Sequence, residues 1–421
     1  MKHYDPRFDE TYYTETMENG LKVVLFHRPD FVETCCALGT PFGAYHLYES
    51  LNGRDIDTKP GTAHFLEHKL FETEEKDIMA FFSSLGANVN AFTSYEETVY
   101  YFTYSGKDIR QCLGLLLDFV FDLNITKESV EKEKGIIARE IAMYEEVPDT
   151  RLLNETMRVI YEKIPLRYDV GGSKESVYSI TKEDLEEAYR LHYHPSRMIL
   201  CISTPSDPEE VLNFLRKHPG CMGQDSEEEL RMRPVEEGAD PLKKEHSFQM
   251  DIHKSKHVFA FKIKPVFRDD RDALFKEWCV RLYMEAHFSM TNPLYQTWLD
   301  KGWINDYFGY EVEFEKDYAH ILVYFEGEDP DLLWEIQKEI AGQDLLDEKT
   351  LQRLKRRYLG SAYESLDDPE SFTLGYIRDA LGGVDFFDGI LVLESITVDD
   401  VKRVVHSLDY SHHALISVRR K

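Results

Sequence analysis

The chain has 421 residues, of which 42% are hydrophobic and 13% aromatic, and this length predicts two or three domains with sizeable cores. The 50 basic residues are outnumbered by 78 acidic ones, which gives a formal charge of −28. This balance excludes a general nucleic-acid binder, which needs a basic surface, and disfavours attachment to an anionic membrane. The high aromatic content argues against intrinsic disorder.

Hydropathy and cysteine spacing predict a cytoplasmic protein. The most apolar stretch, 112–121, carries Asp118 and is shorter than the roughly 20 residues that a spanning helix needs. The initial segment MKHYDPRFDE has no apolar run, so no secretory signal is expected. The six cysteines show no CxxC motif or regular spacing, and we expect them to be reduced core residues.

The predicted elements of the first half begin with a hairpin. Strand 21–26 follows the turn pair Asn19-Gly20, and the β-prone run 33–48 is predicted as its long partner. The patterns then predict a helix from about 62, a helix over 77–85 that ends at Gly86, a strand over 88–103, helices over 107–122 and 126–146, the second closed by Pro148, a helix over 181–192, a strand over 198–204 and a helix near 207–217.

The second half repeats this order of elements. It is predicted to contain strands near 247–253, 257–264, 306–314, 318–325 and 413–419, with helices near 269–288, 292–301, 329–341, 347–364, 369–382 and 397–406. The polar, acidic segment 222–244 is predicted as a linker. The sequence therefore predicts an α+β protein of two homologous domains, 1–221 and 245–421, each a mainly antiparallel sheet packed with helices.

One pentapeptide in a predicted helix points to metal chemistry: His64-Phe65-Leu66-Glu67-His68. Residues four apart share a helix face, so both imidazoles can reach one ion, and Glu67 lies beside that face. This HxxEH order is the inverzincin signature, in which two His hold zinc and the carboxylate accepts a proton from the attacking water. The pentapeptide alone also fits a helix whose polar face carries two His by chance.

A zinc site of this type needs a third protein ligand, normally a carboxylate from another element. The segment EKEKGIIAREIAMYEE offers Glu131, Glu133, Glu140, Glu145 and Glu146. Glu133 and Glu140 are seven residues apart and lie on one helix face beside an apolar stripe, where an unpaired carboxylate is costly. The other three fit a solvated acidic face.

These segments resemble a known family. GTAHFLEHKLFE, followed at the family's spacing by EKEKGIIAREI, is similar to the pitrilysin, insulin-degrading enzyme and mitochondrial processing peptidase family. The resemblance covers the whole chain, through NAFTS (90–94), HYHPSRMILCIS (192–203) and NPLYQTWLDKGWINDYFGYEV (292–312). The strongest likeness is to bacterial single-unit members of about this length, which often occur as paired genes.

The resemblance implies a role for each candidate residue. It implies one Zn²⁺ per chain, held by His64, His68 and Glu140. It implies Glu67 as the general base, and Glu133 as a carboxylate that orients a ligating His.

The resemblance also implies a binding mode for a peptide substrate. Asn90, Ala91 and Phe92 would lie on an edge strand beside the metal, and the peptide would add to that strand through main-chain hydrogen bonds with little sequence preference. In the family, two homologous α+β domains form each half, and two halves enclose a chamber.

The sequence departs from the family at one place. Family members or their partners carry an Arg and a Tyr that polarise and position the substrate carbonyl. The Arg position is Leu299 here, and only Tyr307 or Tyr310 lies near the Tyr position. We therefore expect a related subunit to supply the Arg/Tyr pair in a heterodimer, with a homodimer as the alternative.

The predicted function is that of a cytoplasmic zinc metalloendopeptidase that cleaves peptides or small unfolded segments inside a two-subunit chamber. One alternative is a peptide-binding or assembly subunit without turnover, and the intact Glu67 argues against it. A second alternative is a maturation protease dedicated to one precursor peptide.

Overall fold

The computed structural model describes residues 1–72, 78–226, 228–327, 330–340 and 346–421. The chain divides into two compact units. Unit 1 consists of Met1–Ala142, Tyr168–Pro234 and Glu364–Phe386, and unit 2 consists of Met143–Arg167, Val235–Tyr363 and Phe387–Lys421. The units therefore differ from the continuous domains 1–221 and 245–421, because segments 143–167 and 364–386 belong to the unit formed by the opposite half of the chain.

Unit 1 contains a large sheet and a small one. Its strands are β1 (Lys2–Asp5), β2 (Glu10–Thr16), β3 (Lys22–His27), β4 (Thr34–Thr40), β5 (Tyr48–Leu51), β6 (Arg54–Asp57), β7 (Ala87–Thr93), β8 (Thr98–Tyr104), β9 (Ile199–Thr204) and β10 (Leu230–Met232). The large sheet has the order β1-β2-β3-β9-β4-β8-β7, and its strands are antiparallel except for β3 and β9. The small sheet has the order β10-β5-β6, so part of the predicted linker is a strand.

Two predictions about these strands are wrong. The partner of β3 across the Asn19-Gly20 turn is β2, and β9 lies between β3 and β4. The predicted single strand over 88–103 is the hairpin of β7 and β8. Its turn, 94–97, contains neither Gly nor Pro, and the sequence pattern therefore gave no sign of a break.

The described residues of the first half form eight α-helices. They are α1 (Thr62–Phe71), α2 (Ile78–Leu85), α3 (Arg110–Val120), α4 (Lys127–Glu145), α5 (Pro148–Ile160), α6 (Lys174–Ser179), α7 (Lys182–His192) and α8 (Pro208–Leu215). Six of them lie close to their predicted positions, and α5 and α6 were not predicted. Residue 77, the predicted start of the second helix, lies outside the described residues. Pro148 opens α5 instead of merely closing α4, since the first helical position needs no N–H donor.

Unit 2 contains a five-stranded sheet. Its strands are β11 (Glu245–Met250), β12 (Lys256–Ile263), β13 (Gly309–Phe314), β14 (Ala319–Glu326) and β15 (His413–Arg420), in the order β11-β15-β12-β14-β13. Only the pair β11 and β15 is parallel. The predicted strands of the second half are thus confirmed, and so is the α+β class with mainly antiparallel sheets.

The second half provides the remaining seven α-helices of the described residues. They are α9 (Asp270–Phe288), α10 (Pro293–Asp300), α11 (Pro330–Ile340), α12 (Glu348–Leu366), α13 (Pro369–Leu381), α14 (Phe386–Ser395) and α15 (Val398–Ser407). Of these, α14 was not predicted. Within the described residues, no helix combines the length and the apolar character that crossing a membrane requires.

Strand β4 forms the centre of unit 1, and all its residues are buried. Cys36 and Leu38 on one face join the apolar core that also holds α1 and α3. Gly39 lies on the other face, where a Cβ atom would come within 2.7 Å of Leu381 Cδ1 on α13. Burial of β4 on this face thus depends on α13, a helix distant in sequence, while its other face shares a core with α1.

Candidate active site

Helix α1 carries three of the predicted site residues: His64, Glu67 and His68. Its opposite face is anchored in the core of unit 1 by Phe65 and Leu66, which are fully buried. Because the apolar residues fix the rotation of the helix, the polar side chains have a defined direction.

The start of α1 lies against a glycine pair in the loop before α6. Gly61 precedes the helix with φ +90°, and a Cβ atom there would lie 2.5 Å from the carbonyl oxygen of Gly171. Gly172 has φ +79°, and its Cβ atom would lie 2.6 Å from the carbonyl oxygen of Pro60. Both the positive φ and the close approach require glycine here. Sequence reasoning missed this contact, since it joins segments more than 100 residues apart.

Helix α4 brings Glu140 to the two histidines. Glu140 Oε2 lies 3.3 Å from His68 Nε2 and 3.9 Å from His64 Nε2. One potential ligand atom from each of the three residues lies within 4.8 Å of the others. The structure therefore brings together the three residues that the resemblance implied as ligands, and they could hold one metal ion.

Glu133 contacts the other nitrogen of His68. Its Oε1 lies 3.0 Å from His68 Nδ1, and its side chain is buried. When Nδ1 carries the proton and donates it to Glu133, the lone pair of the ring is on Nε2, which faces Glu140. Burial disfavours the imidazolium of His68, but the hydrogen bond to Glu133 and the charge of Glu140 outweigh it and raise the pKa of His68.

His64 is held in its neutral form. Burial, together with the neighbouring His68, lowers the pKa of His64 to about 3. Its Nδ1 is buried and has no hydrogen-bond partner among the described residues. A neutral imidazole is the form that binds a metal.

Glu67 lies beside the ligands and is oriented by a hydroxyl group. Thr93 Oγ1, at the end of β7, donates a hydrogen bond to Glu67 Oε2. Burial raises the pKa of Glu67, and the bond from Thr93 opposes part of that shift. Sequence reasoning did not assign a role to Thr93, although it lies within the NAFTS segment.

These residues fit a zinc ion of the catalytic type. Two imidazole nitrogens and one carboxylate oxygen form the ligand set found in catalytic zinc sites, which keep a further coordination position open. Glu133, beside Nδ1 of His68, matches the carboxylate that usually accepts a hydrogen bond from the second nitrogen of a metal-binding histidine.

Asn90, Ala91 and Phe92 lie on β7, the edge strand of the large sheet. The N–H of Ser94 donates to the carbonyl of Glu97, and the antiparallel alternation then directs the main-chain groups of Ala91 to the open edge. The Ala91 N–H donates to Asn90 Oδ1 there (2.9 Å). The same alternation directs the main-chain groups of Asn90 and Phe92 toward β8. Of the three residues, only Ala91 therefore has main-chain groups that could bond to a peptide at the open edge.

The residues at the departure from the family lie in unit 2. Leu299 packs against the apolar core of that unit. The hydroxyl of Tyr310 donates to Glu285 Oε2 (2.5 Å) and lies 3.3 Å from the hydroxyl of Tyr358. Lys256 Nζ lies 4.1 Å from the ring centroid of Tyr307.

Comparison with known proteins matches two family models. Residues 53–172 match "Insulinase (Peptidase family M16)", and residues 179–358 match "Peptidase M16 inactive domain". The first segment contains His64, Glu67, His68, Glu133 and Glu140, the five residues of the candidate metal site.

Relatives match over the whole chain or over half of it. The uncharacterized zinc protease YmfH of Bacillus subtilis (strain 168) is 33% identical over 404 residues, 95% of this chain and 94% of that protein. The mitochondrial-processing peptidase subunit beta of Bos taurus is 29% identical over 208 residues, 48% of this chain and 41% of that protein. A crystal structure of an M16-like peptidase from Alicyclobacillus acidocaldarius has a TM-score of 0.92 and 29% identity, with full coverage of both chains. The chain is therefore a member of the M16 (insulinase) peptidase family.

Proposed function

We propose that this M16-family chain is a zinc-dependent endopeptidase that cleaves peptides or small unfolded segments. The observation that carries the proposal is the convergence of His64, His68 and Glu140 with Glu67 beside them. The naming of the Bacillus subtilis relative as a zinc protease supports the same activity.

In this proposal, three side chains bind the metal and a fourth transfers protons. His64, His68 and Glu140 would hold the zinc, which when bound would act as a Lewis acid toward the substrate carbonyl and the attacking water. Glu67 accepts the proton of the water and delivers it to the leaving amine. Its raised pKa brings the carboxyl closer to neutral pH, where a residue that acts first as base and then as acid is most effective.

The edge of β7 offers a binding site for an extended peptide. The N–H of Ala91 at that edge donates to the exposed side chain of Asn90. A peptide strand can displace this side chain and accept the bond itself, so that the main chain provides affinity without selecting side chains. This mode suits an enzyme that acts on many sequences, and we extend the proposal to a chamber closed by a second, related subunit.

The substitution Glu67→Gln tests the proposal. Gln matches Glu in shape but cannot accept the proton, and the cleavage rate should fall by about 10² to 10⁴ while the zinc content stays unchanged. Glu140→Gln is the matched variant, because it should lose zinc as well as activity. The measurements are cleavage of a quenched peptide library and metal analysis of the same preparations.

The same assay separates the alternatives. A Glu67→Gln enzyme as active as the wild type would remove Glu67 from the mechanism. A zinc-loaded wild type that binds peptides but cleaves none, alone or with a related subunit, would identify a binding subunit. Cleavage of a single precursor only would identify a dedicated maturation protease.

A further inference from the structure

A second group of potential metal ligands lies in unit 2, on the hairpin of β13 and β14. Glu311 and Glu313 are two residues apart on β13, so their side chains share one face of the sheet. His320 lies opposite Glu313 on β14. One ligand atom from each of the three lies within 4.8 Å of the others.

His320 is the member of this group that has a buried polar atom without a hydrogen-bond partner among the described residues. Its side chain is fully buried, and its Nδ1 lies 3.0 Å from the hydroxyl of Tyr161. Its Nε2 has no hydrogen-bond partner among the described residues, but it lies 3.6 Å from Glu311 Oε1 and 3.5 Å from Glu313 Oε2. A buried imidazole nitrogen without a partner is costly, and here it is directed toward two carboxylates.

Both carboxylates are held in place by tyrosine hydroxyls. Tyr324 donates to Glu311 Oε2 (3.0 Å), and Tyr318 donates to Glu313 Oε1 (2.8 Å). One oxygen of each carboxylate is therefore fixed by a hydrogen bond, and the other oxygen is the one nearest His320. Bonds of this kind orient the ligands of metal sites, as does the Tyr161 contact on the far nitrogen of His320.

Neighbouring cations are engaged with other carboxylates. Lys262 lies opposite His320 on β12, but its Nζ is 2.7 Å from Glu237 Oε1. Arg281 Nε is 2.6 Å from Glu277 Oε1, and its Nη2 donates to a main-chain carbonyl. Two carboxylate oxygens that face one imidazole nitrogen therefore remain available to a divalent cation.

We propose that Glu311, Glu313 and His320 bind a divalent transition-metal ion, in a second site separate from the one on α1 and α4. One imidazole nitrogen with two carboxylate oxygens suits Zn²⁺ or Co²⁺ better than Ca²⁺ or Mg²⁺, which prefer oxygen ligands alone. The ion joins β13 to β14, and its role is to stabilise unit 2.

The experiment uses the full chain with His64→Ala and His68→Ala, which removes the first site. This chain is loaded with Co²⁺, dialysed, and analysed for metal content and for the visible absorption of protein-bound Co²⁺. We expect one retained equivalent. Adding Glu311→Gln and Glu313→Gln should abolish it, whereas the exposed Glu245→Gln on β11 of the same sheet should retain it.

The two Gln substitutions preserve side-chain shape at partly exposed positions, and circular dichroism verifies that each variant is folded. His320→Gln provides a second check, since it should lower the amount of retained Co²⁺ and with it the visible absorption. Absence of bound metal in the His64→Ala/His68→Ala chain, or retention unaffected by the Gln pair, would overturn the proposal. Either result would show that these three side chains hold no metal ion.

Discussion

Nδ1 of His68 lies 3.0 Å from Oε1 of Glu133, whose residue is only 6% exposed. Helix α4 thus contacts both nitrogens of this imidazole, because Glu140 lies 3.3 Å from Nε2. The two glutamates are two helical turns apart, so one helix can place a carboxylate at each nitrogen of the ring.

The first prediction concerns this orienting contact. Glu133→Gln should lower zinc affinity by about 10-fold, the lower end of the range for such outer partners, because the amide still accepts a hydrogen bond but has no charge. Competition against a chromophoric chelator measures the affinity. Glu128→Gln is the control on the same helix, since its side chain is exposed and lies far along α4 from the histidines. Equal affinities in the two variants would show that Glu133 does not support the ligand.

The local chemistry of the site was predictable from the sequence. The spacing of His64 and His68 places both on one helix face, and the position of Glu133 and Glu140 beside an apolar stripe singles them out among the five glutamates. Thr93 could not be predicted in this way. Its contact with Glu67 depends on where the end of β7 lies relative to α1, and no local periodicity encodes that.

The fold was predictable to the same extent. Helix periodicity located α4 and α9 within a few residues, because amphipathic patterns are local. The insertion of β9 between β3 and β4 was not predictable, since it pairs residues about 170 positions apart. The packing of α13 on β4 also joins segments far apart in the sequence, so local patterns could not predict it. In the structure it is seen as the close approach of Leu381 to Gly39.

The second prediction concerns the orientation of the base. Thr93→Val removes the hydroxyl that donates to Glu67 while preserving the shape of the side chain. Hydrogen bonds to charged groups contribute about 1.5 to 3 kcal/mol, so the rate of peptide cleavage should fall by roughly 10- to 100-fold. Zinc content should not change. Thr93→Ser restores the donor and should restore most of the rate, and a failure of this rescue would indicate that Thr93 acts only through packing.

The third prediction concerns the glycine contact behind α1. In Gly172→Ala, the alanine must adopt a positive φ, and its Cβ atom would also lie 2.6 Å from the carbonyl oxygen of Pro60. Gly86→Ala is the matched control, because Gly86 has φ +80° but nothing within 4 Å of its Cβ position. The control should lower the free energy of unfolding by about 1 to 2 kcal/mol through backbone strain alone. Gly172→Ala should cost at least about 1 kcal/mol more and also weaken zinc binding, since α1 must shift. Denaturant unfolding and chelator competition measure both, and equal losses in the two variants would contradict the proposed close approach.

The last prediction concerns the donors that stabilise the tetrahedral oxyanion of peptide hydrolysis. Zinc supplies part of that stabilisation, and one further preorganised donor typically supplies about 3 to 4 kcal/mol. Leu299 cannot donate, and the hydroxyl of Tyr310 is already bonded to Glu285. A homodimer repeats this deficit in both copies. We therefore expect the isolated chain to cleave peptides roughly 100- to 1,000-fold more slowly than a mixture with a related subunit that carries the Arg/Tyr pair.

A mixing titration on one peptide measures this gain in cleavage rate, which should disappear when the partner's Arg is replaced by Leu. Full activity of the isolated chain, unchanged by the partner, would show that this chain needs no donor from outside.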